Sequence, residues 1–268
     1  MRQRYVLSPG FIYYVSLVIL LYLPVFLLIA FSFNDSTVLV FPMKGFTLRW
    51  YGELLRTREL LISVRNSLVL GVLSSLAATL IGTMAAIGIV RFRFPGRGTF
   101  LAVAAMPLVI PYVVLGVALL VGFTEAGIPL SLWTVGLGHL VINLPYVVLI
   151  VAARLTGFPA NLEEAAMDLG ATYWGTLLRV TLPISAPALV ASFLTCFTTS
   201  FNEFAVAFFL VGTDNTLPVY LYSQLRFPSR LPLVVSLAAV IVVSSILLLL
   251  LAERLRRAGQ PSMWKGEA

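Results

Sequence analysis

The chain is built of long runs without a formal charge, separated by short charged segments. Uncharged runs reach from Tyr5 to Asn34, Asn66 to Val90, Gly98 to Thr124, Ala126 to Ala153, Val180 to Asn202 and Leu231 to Ala252, each at least 22 residues long. A helix needs roughly 20 apolar residues to cross a hydrocarbon core of about 30 Å. The pattern therefore predicts six membrane-spanning segments, near 11–33, 66–90, 100–123, 132–153, 186–210 and 232–252. Backbone polar groups in lipid must be satisfied within the segment, which makes these helices. A barrel strand would alternate over about ten residues, and a run such as SSILLLLLA does not alternate. The first run is too long for the apolar region of a secretory signal, and no small-residue cleavage site follows it, so it reads as an anchor.

Breakers and small residues modulate this pattern. Pro107 and Pro111 fall in the third segment and Pro145 in the fourth. A proline removes a backbone hydrogen bond and kinks the axis, as happens in helices that open a pathway and also in plain bundles. Gly71, Gly82 and Gly88 in the second segment predict close helix approach. Between the first two segments, FTLRWYGELLRTRELL has apolar residues at helical spacing. It predicts a short interfacial helix with Trp50 and Tyr51 at headgroup level, or a plain packing helix over the outer mouth.

Composition narrows the class. Of 268 residues 60% are hydrophobic and 11% charged, against about 25% charged in soluble domains. A soluble enzyme, a disordered chain and a disulfide scaffold are excluded, leaving one polytopic membrane domain over 1–268. The single cysteine, Cys196, allows no intrachain disulfide and reads as a small packing residue. The net charge of +7 is flank charge rather than a nucleic-acid surface. With both termini cytoplasmic, the inner side holds 11 of the Lys and Arg residues and the outer side 7. The contrast is sharpest between RFRFPGRG, with three arginines, and TEAGIPLS, with none. Arg254, Arg256 and Arg257 suit a polar tail, 254–268, lying against anionic membrane lipid.

The longest inner loop, 155–185, is patterned beyond what a tether needs. Pro159 and Asn161 precede a predicted short helix, with Glu164 three residues on, where a capping-box acid reaches back. Glu163 and Glu164 also suit the positive end of the helix. Leu162, Ala165, Ala166 and Leu169 form one apolar stripe, Asp168 lies on the acidic side, and Gly170 offers a left-handed stop. A second helix is predicted to begin at Thr172 and to end before Leu182-Pro183. An element of this kind lies across a membrane face and fits a groove in another protein.

Glu164-Ala165-Ala166, three residues, Gly170, nine residues, then Val180-Thr181-Leu182-Pro183 resembles the EAA motif of ABC-transporter permease subunits. The pieces SFNDS, RWYGELLR, RFRFPG, EEAAMDLGAT and FTTSFNEF, spread over most of the chain, look like permeases of the spermidine/putrescine type, the second of two permeases in such systems. The resemblance implies the all-α, six-helix fold of type I ABC importers in a prokaryotic inner membrane. It implies that Glu163, Glu164, Ala165, Ala166, Asp168 and Gly170 form a coupling helix docked in a cleft of the ABC ATPase. The implied partners are ATPase subunits, a second and unlike permease subunit, and an extracytoplasmic substrate-binding protein. Polyamine import is the implied function, with another small amine or organic solute as the alternative.

Permeases of that type often carry two aspartates where this chain has Asn202-Glu203, so one charge is kept and one is an amide. Asn202, Glu203, Phe201 and Phe204 are the candidate pathway residues. Glu203 is the sole acid in an otherwise apolar segment, and such groups face a pathway or a partner; an interfacial carboxylate paired with an arginine or capped by water is the competing reading for it, and helix packing for the two phenylalanines. His139 is the only histidine, which leaves no metal site and favours a bond to a neighbouring helix, with Asn143 one turn on in the same polar network. An intramembrane protease would need H-E-x-x-H or a serine beside a base, with His139 the one candidate base, and a stand-alone secondary transporter would need inverted repeats. No G-x-x-x-x-G-K-[S/T] loop occurs, so no cofactor is expected in this chain and ATP belongs to the partner ATPase.

Overall fold

The structure is a computed structural model, and it describes residues 9–38, 40–157 and 161–258. Among these residues there is no β-strand, only an isolated bridge between Asn34 and Phe46. The helices are α1 (Pro9–Phe31), α2 (Arg49–Arg56), α3 (Arg58–Arg91), α4 (Arg97–Ala105), α5 (Tyr112–Glu125), α6 (Leu132–Thr156), α7 (Asn161–Asp168), α8 (Tyr173–Thr176), α9 (Leu182–Asn202), α10 (Ala205–Leu210), α11 (Leu217–Gln224) and α12 (Leu231–Ala258). Four are long and apolar enough to cross a membrane: α1, α3, α6 and the continuous 30-residue helix Tyr173–Asn202. The pair α4–α5 passes the same test as one bent element. Helix α12 runs 28 residues, past the predicted end at 252. Arg2, Arg4, Lys265 and the tail beyond Ala258 lie outside the described residues.

Contacts divide the chain into two compact units, one from Met1–Arg58 with Leu221–Ala268, the other from Glu59–Tyr220. In the first, α1 and α2 both pack on α12. Helix α1 buries none of its side chains, as suits an anchor surrounded by lipid. The segment after it is tightly bonded. Trp50 Nε1 donates to the Asn34 carbonyl at 2.9 Å, Tyr51 and Ser32 hydroxyls meet at 2.6 Å, and Ser236 Oγ donates to the Ser32 carbonyl at 3.1 Å. Trp50 is therefore not a headgroup anchor. It is 5% exposed, because its indole N–H is the donor that satisfies a buried backbone carbonyl. Of the two readings of α2, the packing helix holds.

The second unit carries α3 to α10. Helices α6 and α9 pack along their lengths, and α10 packs on α5 and α6. Two apolar clusters form the core. One joins Leu70, Val135, Ile142, Val206, Ala207 and Leu210; the other joins Ala78, Ala86, Ile87, Val147, Val151, Leu155 and Cys196. Cys196 is fully buried, as expected.

The third predicted segment is not one helix. Helix α4 gives way to a 3-10 turn at Met106–Leu108, and α5 leaves at 105°. The Met106 carbonyl accepts from both Val109 and Ile110 N–H, at 3.0 and 3.3 Å, and Pro111 has no N–H with which to continue the ladder. Pro145, by contrast, sits inside an unbroken α6. The fifth segment differs too. The helix expected to end before Leu182-Pro183 passes through them by way of a π turn, Leu177–Thr181, in which Leu182 N–H donates to the Leu177 carbonyl. Pro183 offers no N–H and its ring crowds the carbonyl of Arg179, so a widened turn carries the helix past it. The segment then breaks at Glu203, whose backbone is extended (ψ 125°), before α10.

Close approach is real at Gly82, where a Cβ would stand 2.6 Å from Val147 Cβ, and at Gly71, against Phe197. Gly88 meets nothing within 4 Å and plays no such part. Gly82→Ala should therefore force α3 off α6 and lower the midpoint of thermal unfolding in detergent, at a cost of about 1–3 kcal/mol. Gly88→Ala, its control, should leave the midpoint unchanged.

Candidate functional site

Helix α7 has eight residues and buries none of its side chains. Leu162, Glu164, Ala165, Asp168 and Leu169 are exposed, Leu169 to 91%, while Ala166 is half-buried. The helix closes as the sequence predicts. Gly170 lies at φ +89°, its N–H donates to Met167 at 2.9 Å, and Ala171 N–H donates to Ala166 at 3.0 Å, the paired bonds of a Schellman stop. Asn161 is the first helical residue, and Pro159 lies outside the described residues. Thr172 caps α8, accepting from Gly175 N–H at 3.1 Å.

Glu163 behaves unlike its neighbours. It turns inward, its Oε2 3.0 Å from Arg91 Nε, and its Oε1 accepts from Arg91 Nη2 at 3.1 Å and from Thr181 Oγ1 at 2.7 Å. Together with the edge contact of Phe92 on Tyr173 and the Arg154 bond to the Ile184 carbonyl, these contacts put RFRFPG and the 155–185 loop at one end of the unit. The other end is tied by Asn66 to the Asn215 carbonyl, Ser67 to Leu217 N–H and Thr134 to the Leu210 carbonyl.

A chain of buried polar groups runs between the two apolar clusters. Ser74 Oγ lies 3.0 Å from Ser200 Oγ, Ser200 Oγ is 2.6 Å from His139 Nδ1, and His139 Nε2 is 3.3 Å from Glu203 Oε2. The Glu203 carboxylate also accepts the Val206 and Ala207 amides, at 2.8 and 2.9 Å. It thereby caps α10 across the break, supplying acceptors for amides that the interrupted helix cannot serve. His139 thus bonds the neighbouring helix, as expected. The order Glu–His–Ser is also that of a hydrolase triad, but Ser200 is 3% exposed and its hydroxyl is shared with Ser74, so no substrate carbonyl can approach it. The arrangement holds helices together.

The four pathway candidates do not converge on one surface. Glu203 is 6% exposed and engaged as above. Phe201 stacks with Phe197 and, through it, Phe193 along α9, whereas Phe204 packs with Phe208 at the edge of the core. Asn202 is exposed and donates to the Thr198 carbonyl at 2.9 Å. Asn143 is a correction. It is fully buried, yet neither atom of its side-chain amide has a partner, so it does not extend the His139 chain. Among the described residues no three His, Cys, Asp or Glu side chains group together as metal ligands would.

Arg91, Thr181, Ser74 and Ser200 were not singled out from the sequence. Arg91 reads there as flank charge, and the serines and Thr181 carry no local signal.

The described residues of this unit thus form a helical bundle of membrane type that presents a short exposed helix at one end. Residues 78–264 match the family described as "Binding-protein-dependent transport system inner membrane component", and the chain belongs to that family. It is 33% identical over 238 residues to the spermidine/putrescine transport system permease protein PotC of Escherichia coli, covering 88% of this chain and 89% of that one. It is 36% identical over 230 residues to the putrescine transport system permease protein PotI of Escherichia coli, covering 83% and 81%. The fold matches a chain of a bacterial ABC transporter involved in the import of the acidic polysaccharide alginate, with TM-score 0.69, 19% identity, and coverage of 94% and 96%. It matches a chain of the MetNI methionine ABC transporter with TM-score 0.62, 20% identity, and coverage of 80% and 100%. The protein is an inner-membrane permease subunit of an ABC importer, and ATP hydrolysis belongs to a separate subunit.

Glu203→Ala should leave the Val206 and Ala207 amides without an acceptor inside the bundle, at a cost of about 1–3 kcal/mol. The expected result is a clear fall in the thermal midpoint of the purified protein, larger than that for Ser200→Ala. An unchanged midpoint would remove the capping role.

Proposed function

We propose that this permease works in the plasma membrane of a prokaryote with six spans and both termini cytoplasmic. It pairs with a second, unlike permease subunit and receives polyamine from an extracytoplasmic binding protein. The observation that carries the reading is α7, a capped helix with no buried side chain that exposes Leu162, Ala165 and Leu169 beside the acids Glu164 and Asp168. At about 12 Å long it is a stiff peg, and a peg seated in a cleft transmits a lateral push that a loose loop would absorb. Ala165 and Ala166 leave room for close approach, and Gly170 sets the angle at which α8 departs. One such helix serves one ATPase cleft, so two ATPases require a second permease subunit.

The substrate class follows from the relatives' names. Another small amine or organic solute is the second reading, favoured by one observation: Glu203, the only acid in its span, is taken up by His139 and two amides. Of the pathway candidates, Asn202 is exposed, Phe201 and Phe204 are half-buried, and Glu203 sits buried at the break.

The test is uptake by the full importer reconstituted in vesicles. Putrescine and spermidine should be taken up with ATP and should compete with each other. Active ATP hydrolysis without uptake of either would contradict the polyamine reading. Gly170→Val should reduce transport per ATP while leaving membrane insertion intact. The space beside Gly170 is open, so the penalty is the left-handed backbone, about 1–2 kcal/mol for an L side chain. Transport at the wild-type rate would count against the coupling role.

A further inference from the structure

Glu163 is half-hidden, with 15% of its side chain exposed, while Glu164 beside it is open to solvent. Both of its oxygens already have partners within the chain. It is therefore not on the face that α7 offers to an ATPase. Its partners lie at two structurally distinct places. Arg91 is the last residue of α3, and Thr181 is the last residue of the π turn that leads into α9. A hollow of about 30 Å³, lined by Ile87, Met167, Tyr173 and Leu177, lies between α7 and those two helices. Three polar bonds, two from Arg91 and one from Thr181, join α7 to those helices through Glu163.

We propose that Glu163 is a positioning residue: its pairing with Arg91 and Thr181 fastens α7 to the end of α3 and to the π turn at the root of α9, so that a push on α7 reaches both long helices together. The inference rests on the reading of α7 as the ATPase-docking element. The two helices meet again where Ser74 Oγ lies 3.0 Å from Ser200 Oγ. Those residues stand about 25 Å and 28 Å along their helices from Arg91 and Thr181, at 1.5 Å per residue. Beyond that pin stands the break at Glu203. The clamp and the pin make α3 and α9 a two-point frame. The π turn, with its widened bonding, is the place where α9 can change pitch when α7 moves.

The experiment uses the complete importer in vesicles, with its ATPase, second permease and binding protein, and counts transport per ATP hydrolysed. It compares Glu163→Gln, Arg91→Gln and the exchanged pair Arg91→Glu with Glu163→Arg. Each single change should leave the ATPase co-purifying but lower transport per ATP by about tenfold, the order of loss expected when an allosteric coupling is removed. The exchanged pair should recover most of it, because the threonine hydroxyl can donate or accept. The clamp is overturned by singles with an unchanged ratio, by an exchanged pair that recovers nothing, or by loss of the ATPase from the singles, which would make Glu163 a docking contact. The docking reading is tested apart from this by Leu169→Asp on the open face, which should release the ATPase. Retention of the ATPase there would sink the docking reading, whatever the clamp variants do.

Discussion

A bilayer cannot hydrogen-bond a peptide group, and this constraint organises the rest of the structure. A continuous helix meets it without help. This chain interrupts its helices at two places in the apolar segments, at 106–111 and at Glu203, and each interruption needs acceptors or donors from the protein itself. At Glu203 the answer is a carboxylate that takes the first amides of α10. The carboxylate also meets the ring of His139 on α6, at 3.3 Å from its Nε2. His139 is held by Ser200, and Ser200 by Ser74 on α3. The local need of one broken helix thus binds α3, α6 and α9 at one level of the bundle.

At the other end the chemistry is reversed. There α7 leaves Leu162 and Ala165, with Leu169 just after it, uncovered. A stripe of this kind on a helix with both a stop and a clamp is mechanical in character. The stop at Gly170 prevents α7 from merging with α8, and the clamp at Glu163 prevents it from swinging free. Between the two ends run α3 and α9, pinned to each other by serines that cost little volume and allow close contact. The protein therefore combines a rigid frame with two breaks.

What the sequence made legible was local or periodic. The first, second and fourth uncharged runs, the α7 stripe and the left-handed Gly170 rest on residues close together in the chain, and the structure shows them as continuous helices, an exposed stripe and a helix stop; the third and fifth runs are broken. The misses have a common physical form. Arg91 and Glu163 are far apart in the chain, so an arginine that looked like flank charge is one arm of a clamp. Trp50 has the composition of an interfacial anchor, but the Asn34 carbonyl behind it decided its burial. Glu203 has the look of a pathway acid in the sequence, because nothing local shows that its own helix breaks beside it. Asn143 stands one turn from His139, yet its amide does not join the chain. Pro183 carries the local signal of a helix end, yet the helix widens into a π turn to pass it.

The central claim is that α7 meets the ATPase, and proximity tests it most directly. With buried Cys196 replaced by serine, a single cysteine at Leu169, 91% exposed, can be treated with a short thiol crosslinker in the assembled importer. Position 169 should link to the ATPase subunit, with a yield that changes when ATP is bound, and a cysteine at Trp133 should not. A link from position 169 to the extracytoplasmic binding protein, or none to the ATPase, would contradict it.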